Sequence, residues 1–201
     1  MRLEKRSRAY ALGIAYGAVI FLVASAIMAG LGMSAIGLKG ANWLFLAGIV
    51  LILLGFVFAL VNFFQRVLHL PMEQLSGEAL APYREANLRL GILTMVDAIL
   101  IAGGAVVFIS VIKRPEWIGP YLGVLIGLHL IAGAPVYGTH NDYWLAGGIL
   151  LVTFLAVFVH PRDFPGWNAL IGFSSMGLVW LSILGRLGLG SRVLRVLQNK
   201  S

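Results

Sequence analysis

GANWLFLAGIVLILLGFVFALVNFFQ, residues 40–65, contains no Asp, Glu, Lys or Arg. A helix rises about 1.5 Å per residue, so ~20 apolar residues cross the hydrocarbon core of a bilayer, which is roughly 30 Å thick. This stretch is long enough to do so. Five further segments have similar length and apolar character, and one of them, residues 90–112, carries a single charge, Asp97. The four without any charge are residues 9–38, 117–141, 143–161 and 164–185.

The composition of the whole chain also indicates a membrane protein. Of the 201 residues, 60% are hydrophobic and 11% are charged, and the mean hydropathy is +0.92. These values lie outside the range of soluble globular domains. Cysteine is absent, which excludes disulfide bonds, thiolate metal ligands and a cysteine nucleophile. We therefore predict an all-α, polytopic membrane protein with six transmembrane helices, located in the cell (inner) membrane.

We expect one integral membrane domain over residues 1–201, because no segment outside the spans is long enough for a soluble core. The predicted helices cover Ala9–Leu38, Asn42–Leu68, Pro82–Ile112, Trp117–Tyr137, Asp142–His160 and Pro165–Leu187.

Two segments are expected outside the spans. Segment 69–87 is predicted to be cytoplasmic and to hold one short interfacial helix between Pro71 and Ala81, with Pro82 at the first position of helix 3, where proline is favoured. Gly188 and Gly190 are predicted to end helix 6, because glycine is a poor helix former. A basic amphipathic tail, 188–201, then follows, in which Ser191 is expected to cap a short helix through Gln198.

The basic residues indicate how the chain is oriented. Six spans place both termini on one side, and cytoplasmic loops carry an excess of Lys and Arg. If the termini are cytoplasmic, only four of the 15 basic residues lie outside, and the bias favours this orientation. Those four are Lys39, Lys113, Arg114 and Arg162.

The net charge of +7 does not indicate a nucleic-acid partner, because the basic residues flank apolar spans. Anionic lipid headgroups explain them instead. In the tail, Arg192, Arg195 and Lys200 alternate with apolar residues, a pattern suited to a helix lying on the membrane surface. A frayed basic tail explains the same residues.

Parts of the two halves of the chain match each other. Asn42-Trp43 and Gly48–Leu51 correspond to Asp142-Tyr143 and Gly148–Leu151, 100 residues later. Since each half would hold three helices, a duplication would give two inverted three-helix halves, an arrangement common in transporters. Chance similarity between low-complexity membrane sequences explains the matches equally well.

Three glycines at four-residue spacing, Gly119, Gly123 and Gly127, form the clearest packing motif. Membrane helices associate where small residues let backbones approach closely. The motif therefore predicts a helix-packing face, either within one chain or between chains, so a homo-oligomer or a membrane-complex partner remains open.

Asp97 is the residue that most directly suggests function, because an ionisable group inside a span is costly and usually faces the bundle interior or water. Thr94 lies one turn away on the same face. Asp97 lies eight residues after Arg89 and His129 lies eight residues before Tyr137, so both are expected ~12 Å from the inner boundary. This predicts a hydrogen-bonded pair that acts as a proton relay, substrate contact or acid/base pair. A buried pair that fixes helix register is the alternative.

The other histidines, His69, His140 and His160, fall at predicted helix ends and are interpreted as interfacial or capping residues. His140 and Asp142 lack a third ligand for a metal. A haem held by two histidines is not expected, since only His129 lies inside a span. We predict no cofactor and no metal.

Four short motifs stand out along helices 3 to 5: Asn87 to Gly91, Gly127-Leu128-His129-Leu130, Pro135-Val136-Tyr137, and Tyr143 with Gly147-Gly148. Together they resemble an uncharacterised family of small bacterial integral membrane proteins. Those proteins carry a Gly-Leu-His-Phe/Leu signature on a mid-chain helix. The resemblance covers about a third of the chain. It implies a six-helix bundle and singles out His129, and it implies no activity.

Three classes of function remain. A small permease or channel for protons or a small polar solute is favoured by Asp97, His129 and the absence of a sizeable soluble segment. A structural or assembly subunit of a membrane complex explains the glycine faces and the basic tail. An intramembrane enzyme is the least supported, because no Ser/His/Asp set or zinc motif accompanies the two residues.

Overall fold

The computed structural model describes residues 8–70, 77–137, 141–159 and 164–198, and it confirms the all-α polytopic prediction. Within these residues, six helices are long and apolar enough to cross a membrane. They are α1 (Arg8–Ile36), α2 (Asn42–Leu68), α3 (Gly77–Val106), α4 (Ile118–Tyr137), α5 (Asn141–Val159) and α6 (Phe164–Gln198).

Most helix boundaries agree with the prediction, and α2 agrees exactly. The start of α3 does not, because the helix begins at Gly77 and Pro82 lies five residues inside it. Proline has a helical φ and removes only one backbone hydrogen bond, so a helix can extend in front of it. Segment 71–76, where most of the predicted interfacial helix falls, lies outside the described residues. At its other end α3 continues into a π-helical turn, Val107–Val111.

The predicted break in helix 6 is wrong, because α6 runs without interruption through Gly188 and Gly190. Each glycine costs a helix about 1 kcal/mol relative to alanine, and at Gly190 packing offsets this cost. Gly190 is buried, and a side chain there would collide with the ring of Phe63 on α2. The Ser191 hydroxyl donates to the carbonyl of Leu187 at 2.8 Å, within the helix, so it does not cap a new one.

The most extensive contact in the bundle joins α1 and α6, which run antiparallel. Their backbones approach closely where Gly32 meets Gly172. Small residues at heptad-like spacing along α1 are fully buried in the bundle. Their small size lets α1 and α6 pack side by side. These residues are Ala11, Ala15, Ala18 and Ser25. We call the end of the bundle where α1 begins and α6 ends the terminal end.

The remaining helices pack unevenly around this pair. Helices α4 and α5 pack against each other and against α6, whereas α2 packs on α1 and α3 packs mainly on α4. Within the described residues, α2 and α3 have no extensive contact of their own. The two three-helix halves are therefore not packed alike, and the internal sequence matches stay a prediction.

Candidate functional site

Asp97 on α3 and His129 on α4 meet between the two helices. The Nδ1 atom of His129 is hydrogen-bonded to Oδ2 of Asp97. The side chains are only 16% and 11% exposed, respectively. An ionised carboxylate can only accept hydrogen bonds, so Nδ1 of His129 then carries the proton and donates it. The structure thus brings together the two ionisable residues that the sequence placed at equal depth.

A tyrosine holds α3 against α4 near this pair. The hydroxyl of Tyr121 on α4 donates a hydrogen bond to the backbone carbonyl of Leu100 on α3 at 2.6 Å. Gly104 makes room for this, since a side chain at that position would collide with the ring of Tyr121. Because Leu100 lies one turn beyond Asp97, this contact fixes the height of the carboxylate relative to α4.

The pair lines a cavity of about 470 Å³ between α1, α3 and α4, hereafter the central cavity. Among the described residues that line it, the polar side chains are those of Asp97, His129 and Thr94, and the rest are apolar. Thr94 lies one turn before Asp97. An apolar wall lowers the local dielectric constant, which strengthens the attraction between a carboxylate and an imidazolium and raises the cost of leaving either charge unpaired.

One ring nitrogen of this pair has no partner within the described residues. Nε2 of His129 is buried and forms no hydrogen bond there. While Nδ1 donates to Asp97, Nε2 keeps a lone pair that can accept a proton. The arrangement can therefore take up one proton and release it again.

The predicted glycine face lies on the other side of α4 from His129. A side chain at Gly119 would collide with Asn168 on α6, and one at Gly123 with Thr153 on α5. At Gly127 an added Cβ would lie 2.6 Å from Leu150 on α5. The three glycines therefore face neighbouring helices of the same chain.

A second buried ion pair was missed by the sequence analysis, which counted both of its members as boundary residues. Arg186 of α6 donates to Asp142 of α5 at 2.5 Å, and the two side chains are 5% and 1% exposed. The guanidinium also lies over the ring of Phe21 on α1, 4.5 Å from its centroid. Helical spacing in the sequence could have indicated that Arg186 is buried. It falls on the same face of α6 as Gly172, Val179 and Ile183.

The remaining predicted residues lie apart from the central cavity. His69 ends α2, while His140, His160 and Lys200 fall outside the described residues. Arg192 and Arg195 are exposed on the last turns of α6. Across residues 8–70, 77–137, 141–159 and 164–198, no group of three His, Asp or Glu side chains is placed to hold a metal ion.

Compared with known proteins, the chain matches no protein-family model, no curated protein and no solved structure.

Proposed function

We propose that this protein is a small permease that moves protons through the bundle, with Asp97 and His129 as the group that binds each proton. The observation that carries the proposal is the contact between these side chains in the wall of the central cavity. Ionisable residues inside membrane spans mark ion and proton pathways in many transporters. A carboxylate–imidazole pair also changes its protonation without breaking its hydrogen bond.

The cavity lining favours the proton over a small polar solute as the cargo. A polar solute needs several hydrogen-bonding groups to replace its hydration. Within the described part of the chain, the wall offers Thr94, Asp97 and His129 as polar groups. Binding a proton needs a single acceptor, so these few groups are sufficient to bind one.

The same proposal includes an orientation. The antiparallel packing of α1 and α6 places the start of the first helix and the end of the last at the same end of the bundle. The bias of basic residues toward that end supports a cytoplasmic location for both termini, and we place the protein in the cell (inner) membrane.

Proton flux tests this function directly. Purified protein in liposomes that hold a pH-sensitive dye should dissipate an imposed pH gradient, with valinomycin and potassium compensating the charge. Asp97→Asn and His129→Ala should both reduce the flux to that of protein-free liposomes, because each removes one half of the proton-binding pair.

Two matched variants control for the chemical change itself. Glu116→Gln neutralises an acid that pairs with Arg114 away from the cavity, and His69→Ala removes a histidine at the end of α2; both should keep the parental flux. Folding is checked first by size-exclusion chromatography. Parental flux in a folded Asp97→Asn variant would contradict the proposal.

A structural subunit of a membrane complex is the second candidate, and the exposure of α3 favours it. No residue in the span Gly91–Val111 is buried, since α3 packs mainly on α4. Large side chains such as Met95, Ile99 and Val106 point away from the bundle. A neighbouring membrane protein that packs on α3 would cover them.

Extraction of the tagged chain from its native membrane in a mild detergent tests this second function. A stoichiometric partner that is lost in Ile99→Ala, but retained in a matched change on α2 such as Leu51→Ala, would support it. Isolation of the chain alone would count against it.

A further inference from the structure

A second cavity, of about 690 Å³, lies between α5 and α6 toward the terminal end of the bundle, and we call it the α5–α6 groove. The polarity of its lining changes along its length. Its deeper part is lined by leucines such as Leu178 and Leu181, and its shallow part by Asn141 and Arg192. At 1.5 Å per residue, Leu178 and Arg192 are about 21 Å apart along α6. The groove therefore runs from an apolar region to a polar one.

The charges in the groove do not cancel. Arg186 and Asp142 both line it, but they pair with each other and together contribute no net charge. Arg192 also lines the groove, is exposed, and forms no ion pair within the described residues. The groove therefore carries one excess positive charge at its shallow end.

A tryptophan marks the level of that end in the membrane. Trp144 lines the groove and is 83% exposed. Exposed tryptophan side chains concentrate where lipid headgroups meet the hydrocarbon. Arg192 lies nearer the helix end than the groove's leucines, so its guanidinium extends into the headgroup layer.

We propose that the α5–α6 groove binds one anionic phospholipid. The phosphate accepts hydrogen bonds from the Arg192 guanidinium, whose planar donors suit a phosphate, and Asn141, which also lines the groove, adds a polar contact. One acyl chain follows Leu184 and Leu181 toward Leu178. The sequence predicted diffuse contact of the basic tail with lipid, whereas the groove assigns a defined site to Arg192 and none to its neighbour Arg195.

Native mass spectrometry tests this site. The protein in mild detergent is titrated with phosphatidylglycerol or with phosphatidylcholine of the same acyl chains. The parent should retain one phosphatidylglycerol in preference to phosphatidylcholine. Arg192→Gln should weaken that retention by about tenfold, because it removes a charge-assisted hydrogen bond to phosphate.

Two more variants distinguish lipid binding in the groove from nonspecific electrostatic attraction to the basic tail. Arg195→Gln makes the same change one turn along α6, where the side chain is exposed but does not line the groove, and it should bind as the parent does. Gly188→Leu keeps every charge and fills the groove from a position with open space around it, so it should lose the lipid.

Three results would overturn the proposal. Equal losses in Arg192→Gln and Arg195→Gln would show diffuse attraction by the tail. Equal retention of the two lipids would show that charge does not select the occupant. Displacement of the lipid by inorganic phosphate at matched concentration would identify a free-phosphate site.

Discussion

Gly172→Ala is expected to lower the thermal stability of the detergent-solubilised protein sharply, whereas Gly177→Ala, on the same helix, should leave it unchanged or raise it. The two substitutions add the same methyl group to α6. They differ in what that group meets, so opposite effects would report packing and not a general intolerance of α6 to larger residues.

The clash at Gly172 is with backbone. An added Cβ would lie 2.5 Å from the amide nitrogen of Gly32 and 2.7 Å from the carbonyl oxygen of Met28. Neither atom can rotate away, so α1 and α6 must separate along their longest contact. Overpacking usually costs about 1–3 kcal/mol, and we expect Gly172→Ala at the upper end of that range or beyond.

The space beside Gly177 is open, since no atom lies within 4 Å of an added Cβ. Alanine there gains up to about 1 kcal/mol of helix propensity. Gly32→Ala should fall between the two, because its methyl group would meet the ring of Phe173, a side chain that can move.

Unfolding followed by intrinsic fluorescence during heating measures all three variants. Equal stability of Gly172→Ala and Gly177→Ala would mean that α1 and α6 do not pack through this glycine.

The six spans could be predicted from the sequence because the rule that defines them is one of length and charge. Residues 40–65 illustrate this, since an uncharged segment of that size has few alternatives to a membrane helix. Helix ends depend instead on tertiary contacts. Gly190 favours a break by propensity, yet Phe63 and Ile14 pack around it, and no local pattern reveals those neighbours.

The candidate site could be predicted from the sequence only in part. Asp97 and His129 fall well inside predicted spans, and counting residues from the span ends placed them at one depth. Arg186 was missed because it follows an uncharged stretch and therefore looks like the residue that ends a span. Its burial depends on Asp142 and Phe21, which lie on two other helices.

Arg186→Met is expected to destabilise the protein by about 3–5 kcal/mol, the usual cost of removing one partner from a buried ion pair. The carboxylate of Asp142 is 1% exposed, and without the guanidinium its charge has lost its ion-pair partner in a poorly solvated site. Asp142→Leu should cost a similar amount, because it removes the ion-pair partner of the buried guanidinium instead. Denaturation of the solubilised protein, followed by tryptophan fluorescence, measures both.

The double variant Asp142→Leu/Arg186→Met decides where that loss comes from. Replacing a whole buried ion pair with apolar residues is often neutral, and a methionine sulfur can keep a favourable contact with the ring of Phe21. We therefore expect the double variant to be more stable than either single variant. If the two losses simply add, the stranded charge is not their cause, and lost packing of α5 and α6 against α1 would explain them.

Recovery of stability would also separate two roles of the pair. A pair that only stabilises the bundle is replaceable by apolar side chains with no other consequence. A pair that fixes how α5 and α6 meet α1 is not, because apolar side chains tolerate several helix registers whereas a hydrogen-bonded pair tolerates few. Broadened amide resonances in a stable double variant would identify the second role, and spectra as sharp as those of the parent would identify the first.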